Sequence, residues 1–267
     1  SFAWVRQFGA TDLLVVDLVD GMIQTVPAGD NPTDLDLSPG GEEAIALARD
    51  SQELWVYPAD DPGALPRVVP LLTQGDYGSL VVDPVDEKGL LYTTASLTES
   101  YAVWDRTTDE ILERALVKPV DGIVVNPTGE SALVFHPAAN GPETEPLFFD
   151  SWAITMVSLR DLRTNPLKLP AEPTAFANST DGAFGFFVMD GEPLLEVLDY
   201  TTLLHTERSL RSVPEFLGVL PDLDPDDADV PPAWVSQEHP LGRISFFDAD
   251  DDTLETLTGF ELNSEIE

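Results

Sequence analysis

Cysteine is absent from the 267 residues. Its absence excludes disulfides, thiolate catalysis and cysteine-ligated zinc or iron–sulfur centres. Cations are scarce: three lysines, ten arginines and three histidines stand against 49 Asp and Glu, a formal charge of −36. Such a surface repels phosphate backbones and anionic lipid, which argues against nucleic-acid and membrane-surface partners. No run approaches the ~20 apolar residues of a membrane-spanning helix. The chain opens at Ser1 with no charged and apolar leader, which points to a processed chain or a fragment. Helix signals are also poor: the segment 162–169 contains Pro166.

The common catalytic signatures are missing too. No Gly-x-Ser-x-Gly elbow, phosphate-cradling lysine loop, dinucleotide fingerprint or His-Glu-x-x-His pair occurs. His136, His205 and His239 have no second histidine at metal-ligand spacing, so surface or internally satisfied roles are expected.

What is present is a core. Apolar residues make up 43 % of the chain, too many for a disordered acidic tail. Asp outnumbers Glu by 29 to 20. Three readings fit that acidity: work in high salt, an extracellular setting that meets Ca²⁺, or a GC-rich genome that favours arginine over lysine.

A repeat runs through the sequence. Leu35–Leu37 before Ser38-Pro39 matches Leu80–Val82 before Asp83-Pro84 and Ile123–Val125 before Asn126-Pro127. Ala175–Ala177 before Asn178-Ser179 is a fourth copy, and Leu217–Leu220 before Pro221 a weaker fifth. The anchors 38, 83, 126, 178 and 220 lie 45, 43, 52 and 42 residues apart. A second strand recurs as Val15-Val16-Asp17, Leu54–Tyr57, Ala102–Asp105, Ile154–Val157, Glu196–Asp199 and Ser245–Asp248. Short strands divided by polar turns at this period predict stacked four-stranded antiparallel sheets, because one such sheet cannot bury both faces alone.

The block Asp12–Leu47 resembles the YVTN-type β-propeller repeat family, which occurs in cell-surface proteins of bacteria and archaea. The resemblance is carried by the aspartate-ended strand at Asp17, the turn at Asp20-Gly21, Thr25–Gly29, Asn31-Pro32 and Ser38–Gly41. Later blocks keep the strand skeleton and the Asp/Asn-Pro turn, from which Asn178-Ser179 and Leu220-Pro221 depart. The resemblance implies an all-β propeller and a cell-envelope or extracellular location, and it implies no single activity.

The expected architecture is one β-propeller over residues 1–267, with six blades as the simplest count and seven as the rival. Phe2–Gln7 and Leu13–Leu18 look like the last two strands of a blade, and Thr256–Leu262 like the start of one. Loop insertions are expected at 140–150 and 221–239, and loops of this kind carry function.

The acids just before each innermost strand are Asp34, Asp76, Asp121, Glu172 and Glu215. In a propeller they would gather at one channel mouth and hold a cation or a basic ligand. In so acidic a chain, one acid per window is also nearly expected by chance. Asp222, Asp224 and Asp226 alternate as Ca²⁺-loop ligands do, though the glycine and the final glutamate of an EF-hand are missing. Asp248, Asp250 and Asp252 alternate as well, at a strand end where Asp is an ordinary turn residue. Trp55 and Trp104 are expected between blades. Trp234, beside the rigid Pro231-Pro232 pair, is expected as a contact residue.

These features predict a non-enzymatic binding or scaffold module with a protein partner. The alternative is a lactonase-like, metal-dependent hydrolase that uses the acidic mouth.

Overall fold

The computed structural model describes residues 1–7, 9–85, 87–221 and 231–259. The strands fall into six antiparallel sheets, each built from strands consecutive in the chain. The first has three strands, β1 (Phe2–Arg6), β2 (Asp12–Asp17) and β3 (Ile23–Pro27). The second joins β4 (Pro32–Leu37), β5 (Glu43–Ala48), β6 (Glu53–Pro58) and β7 (Arg67–Pro70). The third joins β8 (Ser79–Val82), β9 (Lys88–Tyr92), β10 (Ser100–Asp105) and β11 (Ile111–Ala115). The fourth comprises β12 (Gly122–Val125), β13 (Ser131–His136), β14 (Ala153–Ser158) and β15 (Thr164–Lys168). The fifth comprises β16 (Pro173–Asn178), β17 (Phe184–Met189), β18 (Leu194–Asp199) and β19 (Leu204–Ser209). The sixth comprises β20 (Pro214–Val219), β21 (Ala233–Gln237), β22 (Arg243–Asp248) and β23 (Thr253–Thr258). Six meandering sheets of this kind are the blades of a β-propeller, at the expected count of six.

Two compact units are distinguished, Ser1–Val125 with Ala132–Thr155, and Asn126–Ser131 with Met156–Glu267. In the first unit, β5 shows why these strands read as unbroken apolar runs. Ala44 and Ala46 enter a core shared with Leu13, Val15 and Val26 of the first sheet. Ile45 and Leu47 enter one shared with Leu80, Leu91 and Trp104 of the third. A strand with a neighbouring sheet on each face needs apolar side chains on both. In the second unit, Phe186, Leu195 and Val197 of the fifth sheet pack on Ala233, Val235 and Phe247 of the sixth.

The repeated polar residues have a common physical cause. Ser38, Asp83, Asn126 and Ser179 follow the first strand of their sheets and are all buried. Each side chain accepts the backbone N–H that opens the second strand or its approach, at Glu43, Glu87, Ser131 and Phe184 respectively, at 2.8–3.0 Å. The aspartates that end the next-to-last strand of their sheets do the same for the next turn. Asp17 accepts from Val19, Asp105 from Thr107, Asp199 from Thr201 and Asp248 from Asp250, at 2.8–2.9 Å. Short polar side chains are selected there because they satisfy turn amides that no strand can reach.

Three local expectations are corrected. Phe2–Gln7 and Leu13–Leu18 do not end their sheet, because β3 follows and pairs with β2. Thr256–Thr258 does not begin a blade: it lies in β23, the last strand of the sixth sheet, paired with β22. Residues 260–262 of that segment lie outside the described residues. Ala233–Gln237, within the stretch expected as a loop at 221–239, forms β21 and pairs with both β20 and β22.

The loop at 140–150 is ordered around a buried cation. Lys118 Nζ donates to the Phe148 carbonyl (3.0 Å), Asn140 Oδ1 (3.2 Å) and the Ala138 carbonyl (3.3 Å). Glu99 accepts the Glu143 N–H at 2.7 Å and the Thr144 hydroxyl from the other side.

Candidate functional site

The five acids expected at a channel mouth have different environments. Asp34, in β4, spends both carboxylate oxygens on backbone. Oδ1 accepts the Leu35 N–H at 2.9 Å and Oδ2 the Leu80 N–H at 2.7 Å. Asp36 stands two residues on, on the same side of the strand. Burial, then the Asp34 charge, pushes its carboxyl up to about 6. Asp34, Asp36 and exposed Asp121 all act on Tyr92, whose hydroxyl pKa rises through burial first and these charges after it.

Asp76 is exposed and accepts from Gln52 Nε2 at 3.0 Å. Glu172 is exposed at the start of the fifth sheet. Asp222, Asp224 and Asp226 lie outside the described residues. Among the described residues, no three Asp, Glu or His side chains stand close enough to share one metal ion.

Glu215 and Trp234 meet elsewhere. Both line an apolar cleft of about 500 Å³ on the sixth sheet, with Phe216, Leu220, Ile244 and Phe246. The register explains the convergence. Gly218 pairs with Trp234, Trp234 with Phe246, and Ser236 with Ile244, so these side chains share one face. The opposite face carries Ala233, Val235 and Phe247 into the core with the fifth sheet. A Cβ at Gly218 would lie 2.8 Å from the Trp234 indole nitrogen, so glycine lets the ring rest on β20. Phe216 is 66 % exposed and Leu257, on the same face of β23, 56 %. The sixth sheet is thus apolar on both faces, and only one face meets the fifth sheet. The Phe246-Phe247 doublet and the Phe216-Gly218-Leu220 alternation carried that signal in the sequence.

A second cleft, of about 360 Å³, is polar and includes Arg160, Arg163, Ser131 and Tyr200. Its arginines are paired internally, Arg160 to Glu130 and Arg163 to Asp161. Ser158 and then Arg163 hold the Asp161 carboxyl down, at about 2. On the fifth sheet, buried Glu196 accepts from His205 Nδ1 at 3.2 Å; burial raises its carboxyl and the histidine opposes the rise. Neither feature was visible in the sequence, because each depends on strands folded side by side.

No protein-family model matches the chain, and no curated protein matches it in sequence. Solved structures match it in shape. Hydrazine synthase of Kuenenia stuttgartiensis superposes with a TM-score of 0.53 at 15 % identity, over 96 % of this chain and 80 % of that one. The dihydro-heme d1 dehydrogenase NirN, in complex with DHE, gives 0.55 at 14 % identity, over 97 % of this chain and 55 % of that one. A functionally unknown protein from Desulfotomaculum acetoxidans gives 0.55 at 14 % identity, over 97 % and 79 %. At such identities the likeness establishes the β-propeller fold alone. Two of the three carry enzyme names and the third carries none, so the shared fold selects no activity.

Proposed function

We propose that the chain is a non-enzymatic binding or scaffold module that engages a protein partner at the cell envelope or outside the cell. The observation that carries this reading is the exposed cleft where Trp234, Phe216 and Phe246 stand together. Clustered aromatic side chains are what an interface core uses. The YVTN-like block Asp12–Leu47 and the acidic surface support the location. The test is Trp234→Ala. It should weaken capture of the co-purifying partner while circular dichroism still reports the folded β-structure. Undiminished capture would remove the cleft from the function.

A second reading keeps a metal-dependent, lactonase-like hydrolase at the acids. Its support is the sequence pattern of an acid before each innermost strand, Asp34, Asp76, Asp121, Glu172 and Glu215, although no three acids among the described residues stand close enough to share a metal ion. Elemental analysis after dialysis, paired with a lactone-hydrolysis assay, tests it; absence of both metal and turnover rejects it. Ca²⁺ held by Asp222, Asp224 and Asp226 is tested separately. Titration with Ca²⁺ should raise the melting temperature, and substituting all three by Asn should abolish the rise.

A further inference from the structure

The polar cleft lies where turns of the fourth sheet meet turns of the fifth, and every residue that lines it belongs to the second unit. Asn126 Nδ2 donates to the Gly182 carbonyl at 2.7 Å and Asn165 Nδ2 to that of Leu203 at 2.6 Å, which ties the two sets of turns together. The opening originates at one position of the repeat. The residue that starts the second strand of its sheet, and whose carbonyl accepts the N–H of the buried turn residue, is Glu43, Lys88 and Phe184 in the second, third and fifth sheets. In the fourth sheet it is Ser131. Between the second and third sheets, Glu43 forms an ion pair with Arg106, the residue after Asp105. The counterpart of Arg106 in the fifth sheet is Tyr200, the residue after Asp199, and its hydroxyl is turned to Asn178 at 2.8 Å. A short side chain on one wall and an engaged tyrosine on the other leave about 360 Å³ open where the earlier sheets have an ion pair.

The polar groups around this space keep unused capacity. Ser131 is only 4 % exposed, and its hydroxyl has no hydrogen-bond partner among the described residues. Arg160 binds Glu130 through one Nη and Arg163 binds Asp161 through Nε, so each guanidinium retains further N–H donors. The two side chains are 72 % and 67 % exposed. Glu130 uses only Oε1 in its pair. Asp181 spends Oδ1 on the Ser179 hydroxyl and the Ala183 N–H, which leaves Oδ2. We infer that this cleft binds a neutral polyhydroxylated ligand, a saccharide, whose hydroxyls accept from Arg160 and Arg163, donate to Glu130 and Asp181, and meet Ser131. This site is additional to the partner-binding reading and does not rest on it. Charge selects the class. An anion would enter a space lined by Glu130, Asp161 and Asp181, against two arginines that each already face a carboxylate. A cation would face both arginines, and no three acids among the described residues are placed to share a metal ion. An apolar guest would strip water from these donors and acceptors and give nothing in return. A hydroxyl both donates and accepts, so adjacent hydroxyls satisfy an arginine and a carboxylate held side by side without bringing net charge.

The experiment uses the full chain, fluorescently labelled, on an array of immobilised neutral mono-, di- and trisaccharides together with sulfated and phosphorylated sugars. The neutral sugar retained best is then titrated into the ¹⁵N-labelled chain. Neutral sugars should be retained, with affinity changing less than about twofold between about 0.05 and 0.5 M NaCl, because no net charge is exchanged. Amide shifts should concentrate at 128–131, 160–163 and 181–183. Arg163→Ala, at an exposed position, should weaken binding about fivefold, as expected for one or two lost hydrogen bonds. Arg211→Ala, an exposed arginine outside the cleft, should leave it unchanged. Ser131→Phe, which gives the fourth sheet the side chain that Phe184 supplies in the fifth, should fill the cleft and abolish binding. Loss with Arg163→Ala counts even where Ser131→Phe lowers the melting temperature.

Three results would overturn the inference. Retention of sulfated or phosphorylated sugars alone, falling steeply with salt, makes the occupant an anion. Neutral-sugar binding untouched by both Arg163→Ala and Ser131→Phe places the site elsewhere. No retention of any neutral sugar rejects the ligand class. None of these outcomes bears on Trp234, so the partner-binding reading stands or falls by its own test.

Discussion

The carboxylate of Asp34 accepts the backbone N–H of Leu80 at 2.7 Å, across 46 residues of sequence. It ties the first strand of the second sheet to the first strand of the third. Removing the acceptor leaves a partly buried strand amide unpaired. Asp34→Ala should therefore cost about 1–3 kcal/mol, and Asp34→Asn less, because its remaining carbonyl oxygen can still accept. Urea denaturation of the three proteins checks the order. Equal midpoints would show that the bond contributes nothing.

Asp36 gives a pH dependence of definite sign. Its carboxyl is raised to about 6 in the fold, by burial and then by Asp34, against ~3.9 for an unfolded chain. The native state holds the proton that the unfolded chain has released, so this contribution to stability is present below about pH 4 and is lost as pH rises through about 6. Asp36→Asn should stabilise at about pH 7.5, by on the order of 1–2 kcal/mol once solvent screening is allowed for. The gain should vanish near pH 4. Melting temperatures at three pH values decide the matter; a difference independent of pH would exclude Asp36 as the titrating group.

Lys118 is fully buried and holds Ala138, Asn140 and Phe148 through one ammonium. Lys118→Met keeps the apolar stem and removes three charge-assisted donors. It should cost about 3 kcal/mol or more. The damage should be local, with faster amide exchange across 138–151. Unchanged exchange there would mean that the loop stands without the lysine.

His136 sits neutral in the core. Its Nδ1 is 2.8 Å from the Pro119 carbonyl, which can only accept, so Nδ1 carries the proton. Nε2 then accepts the Thr155 hydroxyl at 2.7 Å. Burial, aided by the Lys118 charge, lowers its pKa to about 4. The unfolded chain takes up the proton first, so this contribution is present above about pH 6.5 and lost as pH falls toward 4. The ring ¹⁵N shifts of His136 should stay fixed between about pH 8 and 5. Movement centred near 6.5 would contradict the buried, neutral assignment.

The turn residues explain how much of the fold could be read. Ser38, Asp83, Asn126 and Ser179 recur because the same turn amides recur, and the aspartates at 17, 105, 199 and 248 recur for the same reason. A local hydrogen bond leaves a local signature, so strand, turn and period are legible. The sites are less so. Asp34 looked like a ligand for something outside the chain, whereas its oxygens are occupied by two backbone amides. Glu215 and Trp234 were singled out for unrelated reasons, and nothing in the sequence joined them.

The sequence by itself determined the class of the fold. Strand length, alternation and turn chemistry are properties of neighbours within a few residues, and an apolar run such as Ala44–Ala48 already demands a sheet on either side. The tertiary structure alone decided which side chains meet. Gly218, Trp234 and Phe246 fall in register only because β20, β21 and β22 pair as they do, and a shift of one residue would turn every one of them to the opposite face. Register links residues far apart in the chain and is set by the balance of the whole sheet, so the cleft exists in the folded protein and nowhere in the linear order.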